Sequence, residues 1–251
     1  MGHFHRKILD FMESTDCKTC QKMSVINKKG ILLYLIILLI HCISIYTNQT
    51  GLRMVSKLAL MPVLMLYFFS IQKSGSNKSY TGLVLAGLLF SLLGDLFLTQ
   101  TGQGYFLLGM VSFILTHICN GSNFLRIQSF RFQNPAPAVI ALLVFVLVTF
   151  FVFRLIQPEL GSLQIPILIY MGIIGIMGIL SSNLWVNTAI RSIVIRYFIP
   201  GAVFFIMSDS LLAMNSFHFH DPARWDIPVM LSYGIAQCFL VIGFGKLKRG
   251  F

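Results

Sequence analysis

Asp95 and Asp209 are the residues of this chain best placed to do chemistry. Asp95 lies in Ser91-Leu92-Leu93-Gly94-Asp95-Leu96-Phe97-Leu98. Asp209 lies in Gly201-Ala202-Val203-Phe204-Phe205-Ile206-Met207-Ser208-Asp209-Ser210-Leu211-Leu212-Ala213. Each setting is part of an apolar stretch long enough to span a bilayer. A charged side chain at the centre of a bilayer costs about 2.5–3.5 kcal/mol on insertion scales, unless it is protonated, paired or turned toward water. Buried acids are therefore functional candidates, and two of them invite a pairing. In a poorly solvated site, one carboxyl kept protonated and one kept ionised supply a general acid and a general base.

The elements that must carry these groups follow from composition. The chain has 251 residues, of which 56% are hydrophobic and only 11% charged, with 23 Phe and a mean hydropathy of +0.81. This is the composition of an integral membrane protein. Of the eight acidic residues, Asp10, Glu13 and Asp16 fall in the N-terminal tail, and Glu159, Asp221 and Asp226 fall in connections. Asp95 and Asp209 alone remain in the apolar stretches.

About 20 apolar residues cross the hydrocarbon layer. On that rule eight spans are expected, at 30–47, 55–72, 81–98, 104–123, 137–155, 164–182, 194–214 and 228–245. The fold class is all-α: a polytopic membrane helix bundle of about eight transmembrane helices. A basic tail (1–29) precedes one membrane domain (30–245), and a short basic tail (246–251) follows it. With the N-terminus inside, 15 Lys and Arg residues fall on the inner side and Arg53, Lys57, Arg154 and Arg224 on the outer. The positive-inside rule then places both termini in the cytoplasm.

The net charge of +11 is scattered through short connections without interleaved aromatics, so no nucleic-acid partner is expected. Cys17, Cys20, Cys42, Cys119 and Cys238 form no disulfide framework. Neither the lone Cys17-Lys18-Thr19-Cys20 nor His218-Phe219-His220 is read as a metal site, and no metal or organic cofactor is expected. There is no GxSxG elbow, HExxH pair or phosphate-binding Gly-rich loop.

Helical spacing brings further polar residues into the picture. Gly109, Phe113 and His117 share one face of the fourth span, and Tyr233 and Gln237 share one face of the last. They line a cavity or make interhelical hydrogen bonds. Lys57, near the start of the second span, snorkels to the interface or neutralises a carboxylate. Gly172, Gly175 and Gly178 permit close packing of the sixth span. The two aspartates fall at similar depth. His117 falls deeper than either.

Four segments in order carry a resemblance. Leu93-Gly94-Asp95-Leu96-Phe97-Leu98 comes first, then Phe106-x-x-Gly109-x-x-x-Phe113-x-x-x-His117. Gly201-Ala202-x-x-Phe205-x-x-Ser208-Asp209-x-x-Leu212-Ala213 follows, and Tyr233-x-x-x-Gln237 closes the set. Together they resemble the YhhN-like lysoplasmalogenase family from roughly residue 30 to 245. The chain departs from the family pattern at Leu58, where Pro is common after the lysine, and at Asn120, where an aromatic is common.

The resemblance implies hydrolysis of the vinyl ether bond of a lysoplasmalogen to a fatty aldehyde and glycerophosphocholine or glycerophosphoethanolamine. It implies a lysophospholipid substrate taken from the bilayer. Asp95 and Asp209 would be catalytic, and His117, Ser208, Tyr233, Gln237 and Lys57 would bind substrate. A bacterial inner membrane is the expected location, or the endoplasmic reticulum in a eukaryote. The alternatives are a proton-coupled transporter and a non-catalytic lipid-binding relative. An intramembrane aspartyl protease fits less well, because no Tyr-Asp partner or Pro-Ala-Leu segment accompanies Gly94-Asp95.

Overall fold

A computed structural model describes residues 29–72, 78–130, 135–219 and 222–247, and among these residues every regular element is helical. Eight helices follow one another. They are α1 (Lys29–Tyr46), α2 (Thr50–Ile71), α3 (Lys78–Phe97), α4 (Gln103–Ile127), α5 (Ala136–Ile156), α6 (Gln164–Asn183), α7 (Arg191–Phe219) and α8 (Pro222–Lys246). Seven are long and apolar enough to cross a membrane. The exception is α3, whose apolar part, Thr81–Phe97, is shorter. The CxxC, most of the N-terminal tail and His220 lie outside the described residues.

The helices overrun several limits set by hydropathy, and the overruns have physical causes. α8 starts at Pro222 rather than near residue 228, because Arg224, Trp225 and Asp226 are polar yet helical. α7 extends to Phe219 through a π-helical stretch, Asn215–Phe219. A second π-helical stretch, Val194–Phe198, precedes Pro200, whose missing N–H cannot bond the carbonyl four residues back. Between α3 and α4 the chain reverses through Gly102 at φ 118°, a conformation that a side chain would strain.

Small residues set how closely the helices approach. α3 packs along α4 and α7 along α8. A β-carbon at Gly94 would meet the Phe113 ring at 2.7 Å, and one at Gly201 would meet Leu240 at 2.8 Å. On α6, Gly175 sits against Phe145 and Gly178 against Ile206, as expected of packing glycines; Gly172 has nothing within 4 Å. The main core runs through Tyr34, Leu60, Met61, Phe68, Phe124, Phe198 and Phe205. A smaller core joins Met110 to Val152, Ile156, Leu160, Ile167 and Met171. Outward faces are as apolar as the interior: on α5, Leu143 is 64% exposed and Ile140 62%. Apolar side chains on that scale face lipid in a membrane bundle, where a water-soluble fold would bury them.

Candidate active site

Asp95 is held by three helices. On α3, Ser91 and Asp95 are one turn apart and face Tyr233 and Gln237, one turn apart on α8. The Tyr233 hydroxyl donates to Asp95 Oδ2 at 2.8 Å, and Gln237 Nε2 donates to Ser91 Oγ at 2.8 Å. Ser91 also shares a hydrogen bond of 3.1 Å with Thr116 of α4, whose hydroxyl lies 3.1 Å from the Gly87 carbonyl. From α2, Lys57 brings Nζ to 3.6 Å from Asp95 Oδ1, with side-chain exposures of 15% and 3%. Lys57 therefore neutralises a carboxylate, the second of the two roles its position allowed. The pair needs the tyrosine donor as well, because a buried ion pair offsets its desolvation cost only when its remaining polar positions are satisfied.

Phe113 braces this arrangement edge-on to Tyr233, with ring centroids 5.8 Å apart at 90°. Since Phe113 also covers Gly94, Gly94→Ala should force the ring toward Tyr233. We expect a loss of about 1–3 kcal/mol, read as a lower unfolding temperature in detergent. An unchanged midpoint would show that the ring has room to move.

Asp209 is held differently. The Tyr170 hydroxyl of α6 donates to Asp209 Oδ2 at 2.5 Å, and His117 Nε2 of α4 lies 3.3 Å from the same oxygen. The Tyr170 oxygen is 3.5 Å from His117 Nε2. His117 Nδ1 is buried and has no partner among the described residues. An unpartnered acceptor is tolerated better than an unpartnered N–H. The ring proton is therefore best placed on Nε2, donating to Asp209.

The expectation that His117 falls deeper than either aspartate does not keep it from Asp209, because the two side chains meet. Because α7 runs on to Phe219, Asp209 is ten residues from its end rather than five. α4 and α7 also run in opposite directions, and helical side chains lean toward their own N-terminus. The two side chains therefore lean toward each other.

The two clusters are continuous. Phe205 packs edge-on to His117 at 4.7 Å and to Tyr233 at 5.7 Å, so a line of rings joins the group on Asp209 to the group on Asp95.

A cavity open on one side lies among α4, α5, α6 and α7. Phe106, Met110, Phe145, Val148, Ile174 and Phe217 make its wall largely hydrocarbon, while Tyr170, Asp209, Ser210 and Thr149 supply polar groups. Asp209 is thus in the cavity wall, whereas Asp95 is not among the lining residues. The wall is apolar with a carboxyl set into it.

The remaining candidates take other positions. Ser208 is buried and its hydroxyl donates to the Val229 carbonyl at 3.0 Å, joining α7 to α8. Gln237 acts on Ser91 and does not line the cavity. His218 meets Phe219 edge-on, with ring centroids 5.0 Å apart. Tyr170 was missed by the sequence reading, although a tyrosine within the aliphatic run Ile165–Leu180 is itself a signal of a polar contact at membrane depth. His41, also missed, is buried with Nδ1 2.9 Å from Ser56 Oγ. Beside this group, Arg53 pairs with Asp226, which also accepts from Asn215 at 3.1 Å.

The YhhN family model matches residues 52–244, a range that includes both carboxylates and every residue around them. Lysoplasmalogenase TMEM86A of Homo sapiens and that of Bos taurus are each 30% identical over 169 residues. Each match covers 63% of this chain and 63% of the relative, just under two thirds of the relative's length. No solved structure matches.

Proposed function

Because this chain belongs to the YhhN family, we propose that it hydrolyses the vinyl ether bond of lysoplasmalogens, using Asp95 and Asp209. The products would be a fatty aldehyde and glycerophosphocholine or glycerophosphoethanolamine. The name of its relatives supports the reaction, at modest identity. The observation that carries the reading is the pair of enclosed carboxyls, each accepting a hydrogen bond from a tyrosine, with one in the wall of an apolar cavity.

The chemistry asks for what this site holds. A proton must reach C2 of the 1-alkenyl group, the carbon β to the ether oxygen. The positive charge that forms at C1 and the ether oxygen must be stabilised by a fixed negative group. Water then adds to C1, and the hemiacetal loses the glycerol oxygen to leave the aldehyde. One molecule of water is consumed. A proton donor and an anion in one enclosed site meet both demands. The apolar wall takes the chain and excludes bulk water.

The test is aldehyde release from 1-alkenyl-lysophosphatidylethanolamine and its choline analogue by the purified full chain in lipid. Release is the expected result. No release by folded protein would reject the reading and favour a lipid-binding or proton-coupled transport role. The chain's place in the cavity makes a second prediction. Ala213, one turn beyond Asp209 and in the cavity wall, replaced by Phe should lower kcat/KM for long chains by roughly 10–200-fold, the range a misfitted apolar pocket imposes. Short-chain substrates should lose much less. Equal losses for both would place the chain elsewhere.

A further inference from the structure

The two carboxyls differ in their surroundings, and the difference assigns them different tasks. We propose that Asp209 is the proton donor to the alkenyl carbon, that Asp95 remains the ionised partner, and that Tyr170 is the positioning residue that turns Asp209 to its task. This assignment rests on the hydrolase reading above.

Asp95 is arranged to hold a charge. Lys57 stands 3.6 Å from one oxygen and the Tyr233 hydroxyl donates to the other. Its side chain is 3% exposed and it is absent from the cavity wall. A group so enclosed cannot touch a chain lying in the cavity, and its charge is matched by Lys57, so it acts on the site only as the fixed pole of an ion pair in a medium with little screening.

Asp209 has the opposite setting. Its side chain is 10% exposed and lines the cavity. Both of its neighbours, Tyr170 and His117, address Oδ2. Oδ1 has no partner among the described residues and is not sealed from the cavity, since it is not among the buried atoms that lack one. A protonated Asp209 therefore accepts from Tyr170 at Oδ2 and presents its own O–H from Oδ1. The proton passes to C2 as the C1–C2 π pair forms the new C–H bond. The carboxylate left behind keeps the Tyr170 hydrogen bond at Oδ2. When water adds to C1, its proton returns to Oδ1, and the acid is restored. Tyr170 fixes which oxygen carries the proton and which way it points, so its contribution belongs to the transfer step and not to lipid binding.

Two measurements test the assignment. Dicyclohexylcarbodiimide is apolar and modifies protonated carboxyls within reach of the lipid phase, so the full chain in bilayers should gain an adduct at Asp209 and none at Asp95. A saturated 1-alkyl-lysophospholipid, which fills the cavity but has no vinyl ether to cleave, should protect Asp209. Labelling of Asp95, of both residues alike, or of neither overturns the assignment. This readout requires no turnover, so its failure is distinguishable from failure of the hydrolase reading. The second measurement is Tyr170→Phe, checked for folding by its unfolding temperature. It should lower kcat by roughly 10–100-fold and leave KM within about 2-fold, as expected when an interaction is made only in the transition state. A kcat equal to the parent's, or a loss confined to KM, removes Tyr170 from the transfer step.

Discussion

Asp209→Asn should abolish most aldehyde release while leaving the protein folded and able to bind a saturated 1-alkyl-lysophospholipid. Asparagine has the size of aspartate, and its side-chain oxygen still accepts from Tyr170, so the cavity keeps its shape. It has no acidic proton to give. General acid–base catalysis contributes about 10²–10⁴-fold, and the loss in kcat should fall in that range. The KM for the alkenyl lipid should hardly change. The check is a steady-state assay beside a binding measurement with the alkyl lipid. A variant that binds and turns over as the parent does would remove Asp209 from the chemistry.

Lys57 and Asp95 should show the second large effect, in stability as well as rate. Lys57→Met leaves a carboxylate 3% exposed with no cation. Breaking a buried ion pair from one side costs about 3–5 kcal/mol, so the unfolding temperature in detergent should fall clearly. Asp95→Asn leaves the lysine unpaired, but that side chain is 15% exposed and reaches lipid headgroups or water more readily. Its cost should be smaller. The double variant removes both charges and should be more stable than Lys57→Met alone, giving a coupling energy of opposite sign to the single losses. Activity should not return with stability, because the double variant still lacks the charged pair that stands beside the site. A double variant no more stable than Lys57→Met would mean that the two charges do not depend on each other. A double variant that recovers activity would exclude Asp95 from catalysis.

The two experiments separate what the carboxyls share from what divides them. Both accept a tyrosine hydroxyl, from α6 in one case and α8 in the other. They differ in the second neighbour, an ammonium for Asp95 and an imidazole for Asp209, and in access to the cavity. The Lys57 cycle probes the enclosed member and Asp209→Asn the open one.

Much of this was legible in the amino-acid sequence, because one-dimensional signals carry it. Span positions depend on how many apolar residues run together, which is a property of each segment alone. The two acids stood out for the same reason: a charge inside such a run is costly wherever the run packs. Helical spacing placed Tyr233 with Gln237, and Gly109 with Phe113 and His117, on common faces, and these faces do meet α3 and the site. Lys57 is an exception: its place near the start of a span favours snorkelling, and its approach to Asp95 from another helix is a tertiary contact.

What the sequence left open depends on contacts between helices far apart in the chain. Tyr233 and Asp95 are separated by 138 residues, His117 and Asp209 by 92, and Tyr170 and Asp209 by 39. No periodicity within one helix says which face of another it will meet. That is decided by how closely backbones approach at Gly94, Gly175 and Gly201, and by the direction in which antiparallel helices lean their side chains. Ser208 illustrates the limit: its place beside Asp209 suggests a site residue, yet the rotation of α7 turns its hydroxyl to the Val229 carbonyl. The same rotation sets Asp209, one residue on, into the cavity wall. The sequence determined that two acids lie within apolar stretches. Tertiary packing decided which of them is sealed with a lysine and which opens on the cavity, because burial and pairing are properties of the assembled bundle and of no single segment.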